Sequence, residues 1–118
     1  MVLTVYGIKS CDTCRKARKY LEDEKIEHTF HDIRDDGLNI QMLERWTGRI
    51  SWERLLNRQS LTWRKIADVD KSDLSRSKSL ALMIENPTLV KRPVFEHDDY
   101  IAVGFSEKRF GDFLKSHA

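Results

Sequence analysis

Two cysteines and two prolines are all that the 118 residues hold, with only five glycines beside them. Two cysteines are too few for a secreted disulfide scaffold. So little Pro and Gly, with 40% hydrophobic and 34% charged residues, excludes a fibre or a disordered chain. Charge of one sign is also lacking, since 21 basic and 19 acidic residues intermix to a net +2, and direct nucleic-acid binding through charge is not expected. No apolar run approaches membrane-spanning length. Val2 to Ile8 is short, contains Thr4 and Gly7 and has no basic segment before it, so it does not read as a secretion signal. The expectation is a cytoplasmic protein without a membrane partner, folded as a single domain over residues 1–118 with one core.

Along the chain, Val2, Leu3, Val5 and Tyr6 predict a buried first strand ended by Gly7. From Thr13 to about Glu24, Cys14, Ala17, Tyr20 and Leu21 recur at helical spacing, with charged residues on the other faces. Glu27 to Ile33 alternates as a second strand, which makes strand, helix, strand, the opening of an α/β unit. Beyond Gly37 the pattern is helical. Ile40, Leu43 and Trp46, then Trp52, Leu55 and Leu56, then Trp63, Ile66 and Ala67, then Leu74, Leu80, Ala81 and Ile84 predict several short helices over residues 38–86. Pro93 to Glu96 and Tyr100 to Val103 flank His97-Asp98-Asp99 as a β-hairpin. A last helix starts at Ser106 as N-cap, with Phe105 and Phe110 as a hydrophobic staple, and buries Phe110, Phe113 and Leu114.

The two cysteines stand together in Lys9-Ser10-Cys11-Asp12-Thr13-Cys14, where strand becomes helix. A thiol is a nucleophile only as thiolate, and a helix N-terminus favours thiolate through its unpaired N–H groups and its dipole. Cys11 occupies that place and Cys14 lies about one turn inside. Lys9, Arg15 and Lys16 add positive potential, whereas Asp12 opposes it. The spacing lets Cys14 reach back to close a disulfide and release whatever Cys11 has captured. Two other readings stay open: a pair of small core hydrophobes, or half of a zinc site. Zinc has little support, because there is no second Cys-x-x-Cys, and His28 and His31 lie an odd step apart on a strand and face opposite sides. Arg92 and Arg58 each carry a fork that fits a carboxylate or an oxyanion, although a single arginine is more often a solvated group. Pro93 alone is an edge device at a strand start. Trp46, Trp52 and Trp63 fall on apolar helix faces and are read as packing.

Four motifs in order carry a resemblance that covers essentially the whole chain: Val5 to Ala17, Trp52 to Lys65, Val90 to Val94 and Val103 to Glu107. Together they resemble the arsenate reductase (ArsC)-related family, and within it the Spx/YffB branch. The resemblance implies an α/β, thioredoxin-like fold with a helical insertion, matching the helical reading of residues 38–86. It implies Cys11 as the catalytic cysteine, Pro93 as a cis-proline facing it, Arg92 as an anion-binding arginine, and Arg58 near the place of another. Lys9 is carried as a further candidate for anion binding.

Arsenate reductases of the family have one more arginine in the motif matching Val103 to Glu107, where this chain has Gly104 and no arginine. The leading expectation is therefore a thiol–disulfide reductase without a covalently bound cofactor or a metal, in which Cys11 attacks and Cys14 resolves. Glutathione is its expected co-substrate, and glutathione or protein disulfides are its partners. The alternative is an Spx-like redox switch that contacts RNA polymerase, and a weaker one is an arsenate reductase.

Overall fold

The computed structural model describes the backbone of residues 3–117 and the side chains of residues 3–112. Val2 of the expected first strand and the side chains of Phe113 and Leu114 lie outside the described residues. The chain divides into two compact units, one made of residues 1–36 and 92–118 and the other of residues 37–91.

The first unit is built on a four-stranded sheet in the order β2-β1-β3-β4. Strand β1 (Thr4–Gly7) runs into helix α1 (Asp12–Asp23), which returns to β2 (Thr29–Asp32), parallel to β1. A parallel pair needs such a crossover, because a hairpin can join only antiparallel strands. Strands β3 (Val94–His97) and β4 (Tyr100–Val103) form a hairpin, with β3 antiparallel to β1 through Val5 opposite Phe95. The hairpin loop is Asp98-Asp99, shorter than expected, because His97 pairs with Tyr100. Asp98 takes φ 52°, a left-handed conformation that Asp tolerates better than most residues. Helix α7 (Glu107–His117) begins at Ser106, whose Oγ accepts from Arg109 N at 3.1 Å, so the capping expectation holds.

Burial explains the arrangement. Leu3 and Val5 of the β1 segment, Ala17 and Leu21 of α1, Phe95 of β3 and Phe110 of α7 make one core, with Tyr20, Ile26, Phe30 and Phe105 packed against it. The Phe95 and Phe110 rings lie 4.6 Å apart, and the Phe105 and Phe110 rings 6.3 Å, which realises the expected staple. This unit has a thioredoxin-like fold, and the helical segment enters its chain between β2 and β3.

The second unit holds α2 (Ile40–Thr47), α3 (Trp52–Leu55), α4 (Leu61–Lys65), α5 (Asp68–Lys71) and α6 (Arg76–Glu85). Side-chain caps set where four of them start: Asn39, Ser51, Ser60 and Ser75 accept from Met42, Glu53, Trp63 and Lys78 N–H groups. The unit runs past the expected end at residue 86, because Leu56 pairs with Val90 in an isolated antiparallel bridge flanked by Asn57 N to Leu89 O (2.7 Å) and Lys91 N to Leu55 O (2.8 Å). Three expected core positions, Ile40, Ala67 and Ala81, are exposed. Ile40 begins α2 and is 38% exposed, while Met42, Leu43 and Trp46 form its buried face. In α6 the buried face is Ser79, Leu80 and Met83, and Ala81 points outward. The Ser75 cap sets the phase of that helix, and a small Ser79 fits the packed face that apolar counting assigned to Ala81. Among the described residues no helix is long and apolar enough to cross a membrane.

Candidate active site

Cys11 is the N-cap of α1, with φ −77° and ψ 124°. The chain leaves β1 at Gly7, turns through Ile8-Lys9-Ser10 with Cys11 N donating to Ile8 O at 3.0 Å, and then enters the helix. Cys11 is partly exposed and Cys14 fully buried, and both are free thiols. The neutral Cys11 side chain makes no strict capping hydrogen bond. Its sulfur nevertheless lies within the influence of the Cys14 N–H and of the Arg92 guanidinium.

The two thiols are pushed in opposite directions. Burial pushes Cys11 up, but the Cys14 N–H, the Arg92 guanidinium as donor and as charge, and the Cys14 thiol together hold it below its ordinary value of 9.0. For Cys14 burial again comes first and raises the thiol, and the Cys11 sulfur adds to it. The Ile8 backbone and Arg92 offset only part, so Cys14 is pushed up to about 12. Cys11 is the thiol of this pair shifted towards thiolate.

Two further residues, Gly7 and Asp32, shape this turn. A Cβ at Gly7 would lie 2.5 Å from Cys14 Sγ and 3.3 Å from Phe30 Cε1, so the end of β1 must be glycine for Cys14 to sit beneath it. Asp32, only 2% exposed, accepts from Lys9 N (2.9 Å) on one oxygen and from Arg34 N (2.8 Å) and Asp35 N (2.9 Å) on the other. Burial pushes its carboxyl up, and the Asp35, Lys9 and Arg34 N–H groups with the Lys9 charge outweigh this, so it lies below 3.8.

Arg92, Cys11 and Cys14 are the predicted residues that the structure brings together. Arg92 precedes Pro93 through a cis peptide bond, and Pro93 is buried, its carbonyl accepting from Gly104 N at 2.8 Å. Lys9 directs its ammonium to Asp35 at 3.6 Å, an exposed pair of small energetic weight. Arg15 pairs with Asp12. Arg58 belongs to the second unit, where its guanidinium lies 6.0 Å from the Trp63 ring centre and Lys71 Nζ lies 5.2 Å from it. Of the tryptophans, Trp46 is fully buried, whereas Trp52 and Trp63 are half-buried.

An arginine does reach Gly104. Arg109 donates from its guanidinium to Val103 O at 3.3 Å and approaches the Gly104 Cβ position to 3.9 Å. It comes from the next helix, five residues along, so a search within Val103 to Glu107 misses it; the Ser106 cap, which orients the first turn of α7, is the signal that points to it. Among the described residues no group of three or more His, Cys, Asp or Glu side chains is placed to share a metal ion.

The ArsC family model matches residues 6–113. An uncharacterized protein of Haemophilus influenzae is 43% identical over 109 residues, which covers 92% of this chain and 96% of its own length. The global transcriptional regulator Spx of Enterococcus faecalis is 31% identical over 115 residues, covering 96% of this chain and 86% of its own. The solved structure of a YffB protein superposes with a TM-score of 0.89 at 37% identity and covers 93% of this chain and 96% of that one. With the ordered motifs, the paired thiols of Cys11 and Cys14 and matches spanning nearly its whole length, the chain belongs to the ArsC family, as an ArsC-related protein of the YffB branch.

Proposed function

We propose that the protein is a thiol–disulfide reductase that uses glutathione. One observation carries the reading: a partly exposed thiol at a helix N-cap, lowered beside a guanidinium, with a second, buried thiol one turn behind it. The Cys11 thiolate attacks a disulfide sulfur, such as that of a glutathionylated protein. A Cys11–glutathione mixed disulfide forms, and the protein leaves as thiolate and takes a proton from solvent. Cys14 then loses its proton and attacks the Cys11 sulfur, which closes the Cys11–Cys14 disulfide and expels glutathione. Two further glutathione molecules reduce that disulfide and leave as glutathione disulfide, so electrons balance.

Once Cys11 is bonded to glutathione, its charge no longer raises the Cys14 thiol, and Cys14 becomes more acidic when its thiolate is needed. Arg92 then holds an anionic group of the incoming ligand. Such chemistry requires a reducing compartment, consistent with a cytoplasmic protein.

A redox switch that contacts RNA polymerase is favoured by a different observation, the similarity to Spx along almost the whole chain. Mass spectrometry after treatment with glutathione disulfide, followed by turnover with a glutathionylated peptide, tests the first reading. Glutathione on Cys11, then a Cys11–Cys14 disulfide and multiple turnovers, is the expected result. Capture of RNA polymerase together with a single, non-catalytic oxidation would support the switch and overturn the enzyme.

A further inference from the structure

Asp32 ends β2 directly opposite Gly7, the residue at which β1 gives way to the turn that delivers Cys11. It is buried, and its carboxylate takes N–H groups from two places at once. One oxygen closes the turn after β2 through Arg34 and Asp35, and the other holds Lys9 N, two residues before Cys11. Ile33 N donates to Gly7 O at 2.9 Å on the same border. The Ile8-Lys9-Ser10 turn is therefore tied at its centre to the neighbouring strand by one side chain, through charge-assisted hydrogen bonds of the stronger kind.

We propose that Asp32 is a positioning residue for Cys11: through the Lys9 N–H it holds the turn in the geometry that keeps the Cys11 sulfur aligned with the Cys14 N–H and Arg92. The inference deepens the redox reading of this site and rests on it. A carboxylate is required because both of its ends accept. An asparagine offers one acceptor end and one donor end. With its oxygen engaged by Arg34 and Asp35 N–H, its NH2 would face the Lys9 N–H, donor against donor. The turn would come loose at Lys9 while the rest of the β2 end stayed closed.

The test is the pH profile of Cys11 alkylation by iodoacetamide, mapped by mass spectrometry on the full chain, in Asp32→Asn and Asp36→Asn. Asp36 accepts from Asp32 N at 2.9 Å and so belongs to the same turn without touching Lys9. Asp32→Asn is expected to slow Cys11 alkylation at neutral pH by about threefold or more and to move the profile to higher pH, because the rate follows the thiolate fraction. Asp36→Asn is expected to keep the native profile, even where it lowers the melting temperature.

A native profile in folded Asp32→Asn, or an equal displacement in Asp36→Asn, would overturn the proposal. If Asp32→Asn does not fold, hydrogen exchange on the native protein decides. The Lys9 amide is expected to be protected together with those of Arg34 and Asp35, and rapid exchange at Lys9 alone overturns the role. Iodoacetamide is not a substrate, so loss of glutathione turnover with an intact alkylation result would remove the reductase reading and leave Asp32 in its role.

Discussion

The rim and the floor of one helical turn set two chemically equal side chains apart. At the rim, Cys11 stands partly exposed at the N-cap beside Arg92 and is lowered below its ordinary value. On the floor, Cys14 has no exposure, lies under Gly7 and is raised to about 12. Position on the helix and access to water separate a lowered thiol from a raised one, which the residue type alone does not. The helical unit of residues 37–91 offers a second contrast, since four of its helices start at side-chain caps and it contains no cysteine.

The largest expected effect breaks the rim. Cys11→Ser should abolish glutathione exchange altogether, whereas Cys14→Ser should still accept glutathione on Cys11; comparing mixed-disulfide formation in the two variants by mass spectrometry checks this. Next is the floor: Gly7→Ala places a methyl against Cys14 Sγ and should cost about 1–3 kcal/mol by overpacking, measured by urea denaturation.

Arg92→Ala should slow Cys11 alkylation at neutral pH on the order of tenfold, the scale of one lost charge-assisted hydrogen bond, and leave Cys14 unreactive. A native rate there would assign the lowering of Cys11 to the helix terminus alone. The alkaline limit sharpens the comparison further. A thiol raised from 9.0 unfolded to about 12 folded adds stability that is fully present below about pH 9 and is lost as the pH rises towards 12. Cys14→Ala should therefore flatten the decline of stability across that window in denaturation series. The smallest effect lies in the other unit: Asn39→Ala removes the cap on Met42 N and should cost about 1 kcal/mol with an unchanged Cys11 alkylation profile.

What could be read from the sequence followed the range of the interaction. Cys11 at a strand-to-helix junction, the α1 face of Cys14, Ala17 and Leu21, and the Ser106 cap are local patterns, and each appears in the structure. Asp32 was not legible as part of the site, because its role depends on Lys9, 23 residues earlier in the chain. Gly7 marked the end of a strand, but only the packed turn shows that a side chain there would meet a sulfur. Arg109 lay outside its expected motif, and its long side chain reaches back from the first turn of α7 to Val103 O and the Gly104 position. In α6 a buried Ser79 and an exposed Ala81 defeat hydrophobic counting, since a cap, and not apolar content, sets the helix phase.

The complete burial of Cys14 also has a consequence in mass action. A thiol without accessible surface cannot be reached by a second protein, so a mixed disulfide on Cys11 has two exits on the proposed chemistry. The internal exit through Cys14 runs at a rate independent of glutathione, limited by thiolate formation at the raised Cys14. The external exit, attack by another glutathione, runs in proportion to its concentration. The two cross at one concentration of glutathione. Below it the Cys11–Cys14 disulfide accumulates, and above it the protein cycles through Cys11 alone, so the depth of one sulfur decides which intermediate a given thiol supply leaves standing.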